Sequence, residues 1–212
     1  RKESSAASDV YKRQGMGRPL LADPYAPQKF SQGRLDDVRP CIYCHQGCLG
    51  RIFQFKDISC AVNPACGREK SYALTPSDTK KKVMVVGGGI GGMEAARVAA
   101  IRGHEVDLFE KTDQLGGVFV VASTPDFKED DRQLLAWYKK QMKDLHVTIH
   151  MNSEVTEAQT KGYDEIFVAT GANERRLDTP GFDSDHVTYA IDALRYKEIE
   201  GENVVVVGGG LT

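Results

Sequence analysis

The chain predicts an α/β fold built on a parallel sheet, and three observations carry that reading. First, the apolar run Val83–Val86 enters Gly87-x-Gly89-x-x-Gly92, a helix-period segment (MEAARVAAIRG) and a second apolar run, which is the order of a strand–turn–helix–strand unit. Second, another valine-rich run, Val204–Val207, leads into Gly208, Gly209 and Gly210, which suggests two nucleotide-binding units. Third, four cysteines stand upstream at C-x2-C-x3-C-x11-C, namely Cys41, Cys44, Cys48 and Cys60.

Composition bounds what such a chain can be. Its 212 residues suffice for about one to two domains, and 41% apolar content is enough to bury a core. A net charge of −2 gives no electrostatic reason to expect nucleic acid or an anionic membrane as partner. No apolar run reaches the length of a membrane span. Of five cysteines, four are better explained by a thiol-ligated cofactor in a reducing cytoplasm than by disulfides, so a cytoplasmic location is expected. Cys66 is left over as a small packing residue.

Taken in order, Arg1–Gln14 lacks both an initiating Met and the apolar h-region of a secretory signal. Its stretch SSAASDVYKRQ resembles a translated sequencing adapter, so residues 1–14 are expected to be non-native. Residues 15–24 (GMGRPLLADP) read as a loop and helix start, and residues 25–37 as polar chain broken at Pro27 and Gly33. Residues 40–68 read as irregular, which suits a segment where metal–ligand bonds replace an apolar core. Thr75–Lys82 reads as a solvated linker. Val83–Val86 is a buried strand, and its helix stops at Gly103; His104–Phe109 is the second strand, ending at Glu110. Glu129–Asp144 is an amphipathic helix, Val147–His150 a strand, and Tyr163–Gly171 another buried strand ending in Thr170-Gly171. Val204–Val207 is a buried strand with no helix after its glycines, so the chain reads as a slice of a longer protein, truncated at both ends.

Three thiolates on one loop and a fourth from further along can occupy the corners of an iron–sulfur cube. The competing reading is a zinc knuckle, since Cys41 and Cys44 alone make a C-x2-C pair. Four-cysteine zinc sites usually come as two separated C-x2-C pairs, whereas here the second half is a single cysteine.

In the glycine loop, Gly87 permits the tight turn, Gly89 lets backbone approach a pyrophosphate, and Gly92 lets helix and strand pack closely. The helix N-terminus offers N–H groups and positive dipole to phosphate. Glu110 stands 23 positions after Gly87, near the usual ~20, where a carboxylate accepts from ribose hydroxyls. With Gly88, Lys111, Gly117, Thr170 and Gly171 beside them, these residues form the expected FAD site. Gly116 and Gly117 would pass near the flavin end, and Gly208 with Gly210 would begin an NAD(P)H site. The order of first unit, returning ATG strand and second glycine strand favours FAD first and NAD(P)H second.

The segments GRPLLADP, RPCIYCHQGCLGRIF, ISCAVNP and VMVVGGGIGGMEAA, in this order, resemble the 2,4-dienoyl-CoA reductase and trimethylamine dehydrogenase family of NADH:flavin oxidoreductases, relatives of old yellow enzyme. The resemblance runs from about Gly15 to Thr212. It implies an FMN-bearing TIM barrel ending in residues 15–39, a 4Fe–4S segment with linker over 40–80, the first part of an FAD domain of three-layer ββα/βα type over 81–200, and the start of an NAD(P)H domain at 201–212. It implies Cys41, Cys44, Cys48 and Cys60 as cluster ligands, and Gly17 with Arg18 at the FMN phosphate, where a planar guanidinium fork suits phosphate. The implied activity passes electrons from NAD(P)H through FAD and the cluster to FMN, which reduces an enoate or 2,4-dienoyl-CoA substrate.

The chain departs from that family around the second cysteine, where Tyr43 and His45 stand at positions that often hold Gly and Asn. His45 is expected beside the ligands or at the surface rather than as a ligand. Two other readings compete: an amine dehydrogenase of the same family, which shares every motif present, and an electron-input subunit resembling the small subunit of glutamate synthase, whose cysteines come as two grouped runs. A zinc-stabilised interaction module is the non-enzyme reading.

Overall fold

In the computed structural model, residues 16–173, 178–196, 199 and 201–209 are described. The proposed non-native residues 1–14 and Gly210 lie outside them. The chain opens with two short helices, α1 (Arg18–Ala22) and α2 (Ala26–Ser31), and a 3-10 turn at Leu35–Asp37. Residues 25–37 are therefore more regular than their polar composition predicts. Each helix carries a proline in its first turn, where the missing N–H leaves no orphan donor, and Gly33 then turns the chain at φ +71°. The cysteine segment is irregular apart from one turn of helix, α3 (Leu49–Ile52).

The nucleotide unit follows as β1 (Lys82–Val86), α4 (Ile90–Ile101), β2 (Glu105–Phe109), α5 (Val118–Ala122), α6 (Glu129–Asp144), β3 (Thr148–His150), β4 (Glu165–Val168) and α7 (Ala190–Tyr196). The four strands form one parallel sheet in the order β3-β2-β1-β4. Helix α4 packs across β1 and β2, and α6 packs along α4. Val83, Val85, Met93, Ala96, Leu108, Leu134, Trp137 and Met142 fill the core between them. Helix α6 complements its own dipole, with Glu129, Asp130 and Asp131 in the first turn and Lys143 in the last.

Two predicted strands differ. The one in Tyr163–Gly171 forms as β4, but every residue of it is exposed, because it is the sheet edge and nothing among the described residues covers it. Val204–Val207 forms no strand and is 53–87% exposed, since no strand of the sheet pairs with it and an extended segment is held only by a ladder. Among the described residues no helix is long and apolar enough to cross a membrane.

The cysteine segment is fastened to the nucleotide unit around one aromatic ring, with an ion pair and shared apolar packing beside it. Trp137 of α6 is 5% exposed, lies beneath the Arg39 guanidinium at 4.6 Å, and donates its indole N–H to the Asp37 carbonyl at 3.0 Å. Arg97 of α4 approaches the same ring at 5.7 Å. Arg39 donates to the Val62 carbonyl at 2.8 Å, and Lys140 of α6 donates to the Asp37 carboxylate at 2.7 Å.

Candidate functional site

The glycine loop has the shape a pyrophosphate needs. Gly87 takes φ +107°, and a Cβ there would meet the Ala169 carbonyl oxygen at 2.3 Å, so the ATG turn after β4 rests directly on the loop. At Gly92 a Cβ would fall 1.8 Å from the Gly87 oxygen, which is the close strand–helix contact expected of the third glycine. At Gly89 a Cβ would have no atom within 4 Å. That space lies at the N-cap of the twelve-residue helix α4, where backbone N–H groups point outward. The residues present therefore fit a dinucleotide.

Glu110 sits at the end of β2 and is 6% exposed. Its Oε2 accepts from the Gly88 N–H at 2.7 Å, and its Oε1 accepts from the Thr112 N–H and hydroxyl at 2.9 and 2.8 Å. Burial works against its charge, but these donors and the exposed Lys111 outweigh it and hold the carboxyl below its usual range. The acid expected to face ribose thus also braces the loop. Thr112 escaped sequence reading, although its place two residues after the acid was a usable signal.

The second glycine pair joins this site. Gly116 donates to the Gly88 carbonyl at 2.8 Å, and Gly117 lies so close that a Cβ on it would be 3.3 Å from the Gly89 Cα. Gly116 and Gly117 have φ of +124° and +55°, so both need glycine. Thr170 and Gly171 follow β4 beside Gly87. Gly208 is described but stands apart in exposed chain.

The four cysteines come together: Cys41, Cys44, Cys48 and Cys60 line one cavity, with Arg18, Leu21, Ile42, His45, Gly47, Ala61 and Val62 completing its wall. The Ser59 N–H donates to the Gly47 carbonyl at 2.7 Å, which ties the segment bearing Cys60 to the loop bearing the other three. A Cβ on Gly47 would be 2.7 Å from the Ser59 oxygen, so the approach depends on glycine. Burial pushes the Cys41 thiol up, and Cys60 and Cys44 push it the same way, while a Tyr43 backbone hydrogen bond and Arg18 oppose them. Among the described residues no three His, Cys, Asp or Glu side chains are close enough together to hold a metal ion as they stand. An all-thiol donor set of four on one cavity wall is of the kind that ligates iron–sulfur clusters. Cys66 is 3% exposed behind this wall, as a packing residue should be.

Arg18, expected at an FMN phosphate, faces this cavity. It donates to His45 Nε2 at 2.5 Å and stacks on the Tyr43 ring at 4.9 Å. Gly17 precedes it in open surroundings, as the N-cap of α1.

Residues 81–212 match the pyridine nucleotide-disulphide oxidoreductase family. The chain is 50% identical over 198 residues to a cinnamate reductase of Clostridium sporogenes, covering 92% of this chain and 30% of that protein. It is 36% identical over 204 residues to an N,N-dimethylglycine/sarcosine dehydrogenase of Chromohalobacter salexigens, covering 91% of this chain and 29% of the relative. Among solved structures, a 2-naphthoyl-CoA reductase in complex with 2-naphthoyl-CoA superposes with a TM-score of 0.85 at 36% identity, over 93% of this chain and 31% of that one. The chain thus spans about three-tenths of the length of these relatives.

Proposed function

The chain belongs to the pyridine nucleotide-disulphide oxidoreductase family, within the 2,4-dienoyl-CoA reductase and trimethylamine dehydrogenase group, and from that premise we propose that it is the electron-input part of a flavin oxidoreductase that reduces an activated C=C bond. The observation that carries this reading is the pairing, on one body, of a dinucleotide loop open at Gly89 with a cavity lined by four thiols. Residues 40–80 would hold a 4Fe–4S cluster and 81–200 would form the first part of an FAD domain. Residues 15–39 would lead in from an FMN domain, and 201–212 would enter an NAD(P)H domain.

In this reading the backbone N–H groups at the start of α4 bind the FAD pyrophosphate in the space that Gly89 leaves clear. Glu110 Oε2, which accepts only from Gly88, keeps one lone-pair direction for a ribose hydroxyl, while Oε1 is taken up by the two Thr112 donors that hold the loop. Gly116 and Gly117 bring backbone alongside the loop without a side chain that would exclude the flavin end. Cys41, Cys44, Cys48 and Cys60 would ligate iron as thiolates. When bound, FAD supplies hydride acceptance from NAD(P)H and the cluster supplies one-electron transfer toward FMN; the protein binds, orients and tunes them.

An enoate or aryl-acrylate substrate is favoured over an amine by the higher identity to the cinnamate reductase. The test uses the full-length protein purified anaerobically, with FAD, FMN, iron and sulfide quantified. NADH and NADPH are then titrated in the presence of α,β-unsaturated acids and acyl-CoA esters, and separately secondary amines are offered with an artificial acceptor. Nicotinamide-dependent saturation of the C=C bond supports the proposal. Amine oxidation without enoate reduction would overturn it in favour of a dehydrogenase.

A further inference from the structure

Arg18 is held in a way that a surface arginine is not. Its guanidinium stacks on the Tyr43 ring at 4.9 Å, and Nη1 donates to His45 Nε2 at 2.5 Å. Tyr43 and His45 both adopt left-handed backbone, φ +52° and +59°, on either side of Cys44. Side chains rarely occupy that region, and Gly and Asn, which often stand here in the family the sequence resembles, are the residues that do so most easily. This chain instead places an aromatic face and an acceptor nitrogen there, and both engage Arg18.

The fixed charge also faces the thiols. Arg18 lines the cavity with Cys41, Cys44, Cys48 and Cys60, and among the described residues no carboxylate shares that wall. Reduction adds negative charge to whatever the thiols hold, and a nearby cation favours the reduced form; net charge and hydrogen bonding around a cluster are among the terms that set its potential.

We propose that Arg18, clamped between Tyr43 and His45, is a positioning cation that raises the reduction potential of the cluster held by Cys41, Cys44, Cys48 and Cys60. The proposal rests on the cluster assignment above. Tyr43 supplies the ring face and His45 the acceptor, and both are needed because a long exposed side chain otherwise samples many rotamers.

The experiment is a redox titration of the full-length, iron–sulfur-reconstituted protein followed by electron paramagnetic resonance, with iron, sulfide and FMN content measured on every sample. Arg18→Gln, Tyr43→Ala and His45→Ala should each move the cluster midpoint to a more negative value while iron and sulfide stay at the parental level. Tyr43→Phe keeps the ring and His45→Gln keeps an acceptor, so both should titrate close to the parent. If Arg18→Gln fails to fold, the Tyr43 and His45 variants carry the test alone. A midpoint unchanged in the folded alanine variants would overturn the proposal. So would loss of FMN from Arg18→Gln at an unshifted midpoint, which would leave Arg18 as a phosphate ligand only. A protein that takes up neither iron nor sulfide would overturn the cluster assignment itself, and metal content separates that failure from the others.

Discussion

The Gly88 N–H donates to the Glu110 carboxylate at 2.7 Å, across 22 residues of sequence. The acid at the end of β2, proposed as the group for ribose, is therefore part of the loop's own framework. Glu110→Ala would leave the Gly88 and Thr112 N–H groups without their acceptor. It should lower unfolding stability by about 1–3 kcal/mol and reduce FAD retention together, as read by denaturant titration and flavin content. A role confined to ribose would lower only flavin content.

The same hydrogen bonds give Glu110 a pH signature. Burial opposes its charge, yet the Thr112 and Gly88 donors prevail and the folded carboxyl titrates below its ordinary value near 4.5. A depressed folded value means the unfolded state binds the proton first as pH falls. The contribution is thus fully present above about pH 4.5 and is lost as pH drops through the lower folded value. Melting temperatures of the parent and Glu110→Gln should differ at neutral pH and converge in acid. A constant gap across that range would refute the assignment.

Two glycines of one loop should fail differently. At Gly89 φ is −70° and the space for a side chain is open, so Gly89→Val should fold with a normal melting temperature and carry no FAD. At Gly92 a Cβ would strike the Gly87 oxygen at 1.8 Å, so Gly92→Ala should destabilise the fold by about 1–3 kcal/mol, with flavin loss following from that. Calorimetry beside flavin absorbance separates the two; equal melting temperatures would contradict it.

Cys60 reaches the cavity from outside the loop that bears the other three, so Cys60→Ser should abolish cluster assembly on anaerobic reconstitution. Cys66 lies buried behind the wall, and Cys66→Ser should retain about four irons per chain. Stoichiometric zinc without sulfide in the parent would reverse the assignment.

Trp137→Ala removes the ring under Arg39 and the donor to Asp37. It should lower stability by about 3–5 kcal/mol in denaturant titration. A loss below 1 kcal/mol would show that the two segments are held elsewhere.

What the sequence made legible follows from how local each signal was. Helix α6 spans Glu129–Asp144 as its period and flanking charges predict, and β1 and β2 fall within a residue of their apolar runs. The glycine loop was readable because each glycine answers to its own backbone or to a close neighbour. The exposure of β4 was not, because Ile166, Phe167 and Val168 are as apolar as a buried strand and only the covering layer decides their burial. Helices α1 and α2 are too short to show a period. The Arg18–His45 bond joins side chains 27 residues apart, and Thr112 acts through a bond that spacing alone does not announce.

The polar stretch between the cysteines and β1 looks like a tether, yet the Arg39–Trp137–Arg97 stack makes it no hinge. A protease that nicks the chain between Thr75 and Lys81 should yield two pieces that still travel together on a native column and separate only in denaturant. The spacing between the thiol cavity and the glycine loop is then set by a packed seam, with the Trp137 ring, the Lys140–Asp37 pair and the shared core around Val62, rather than by the length of chain that joins them.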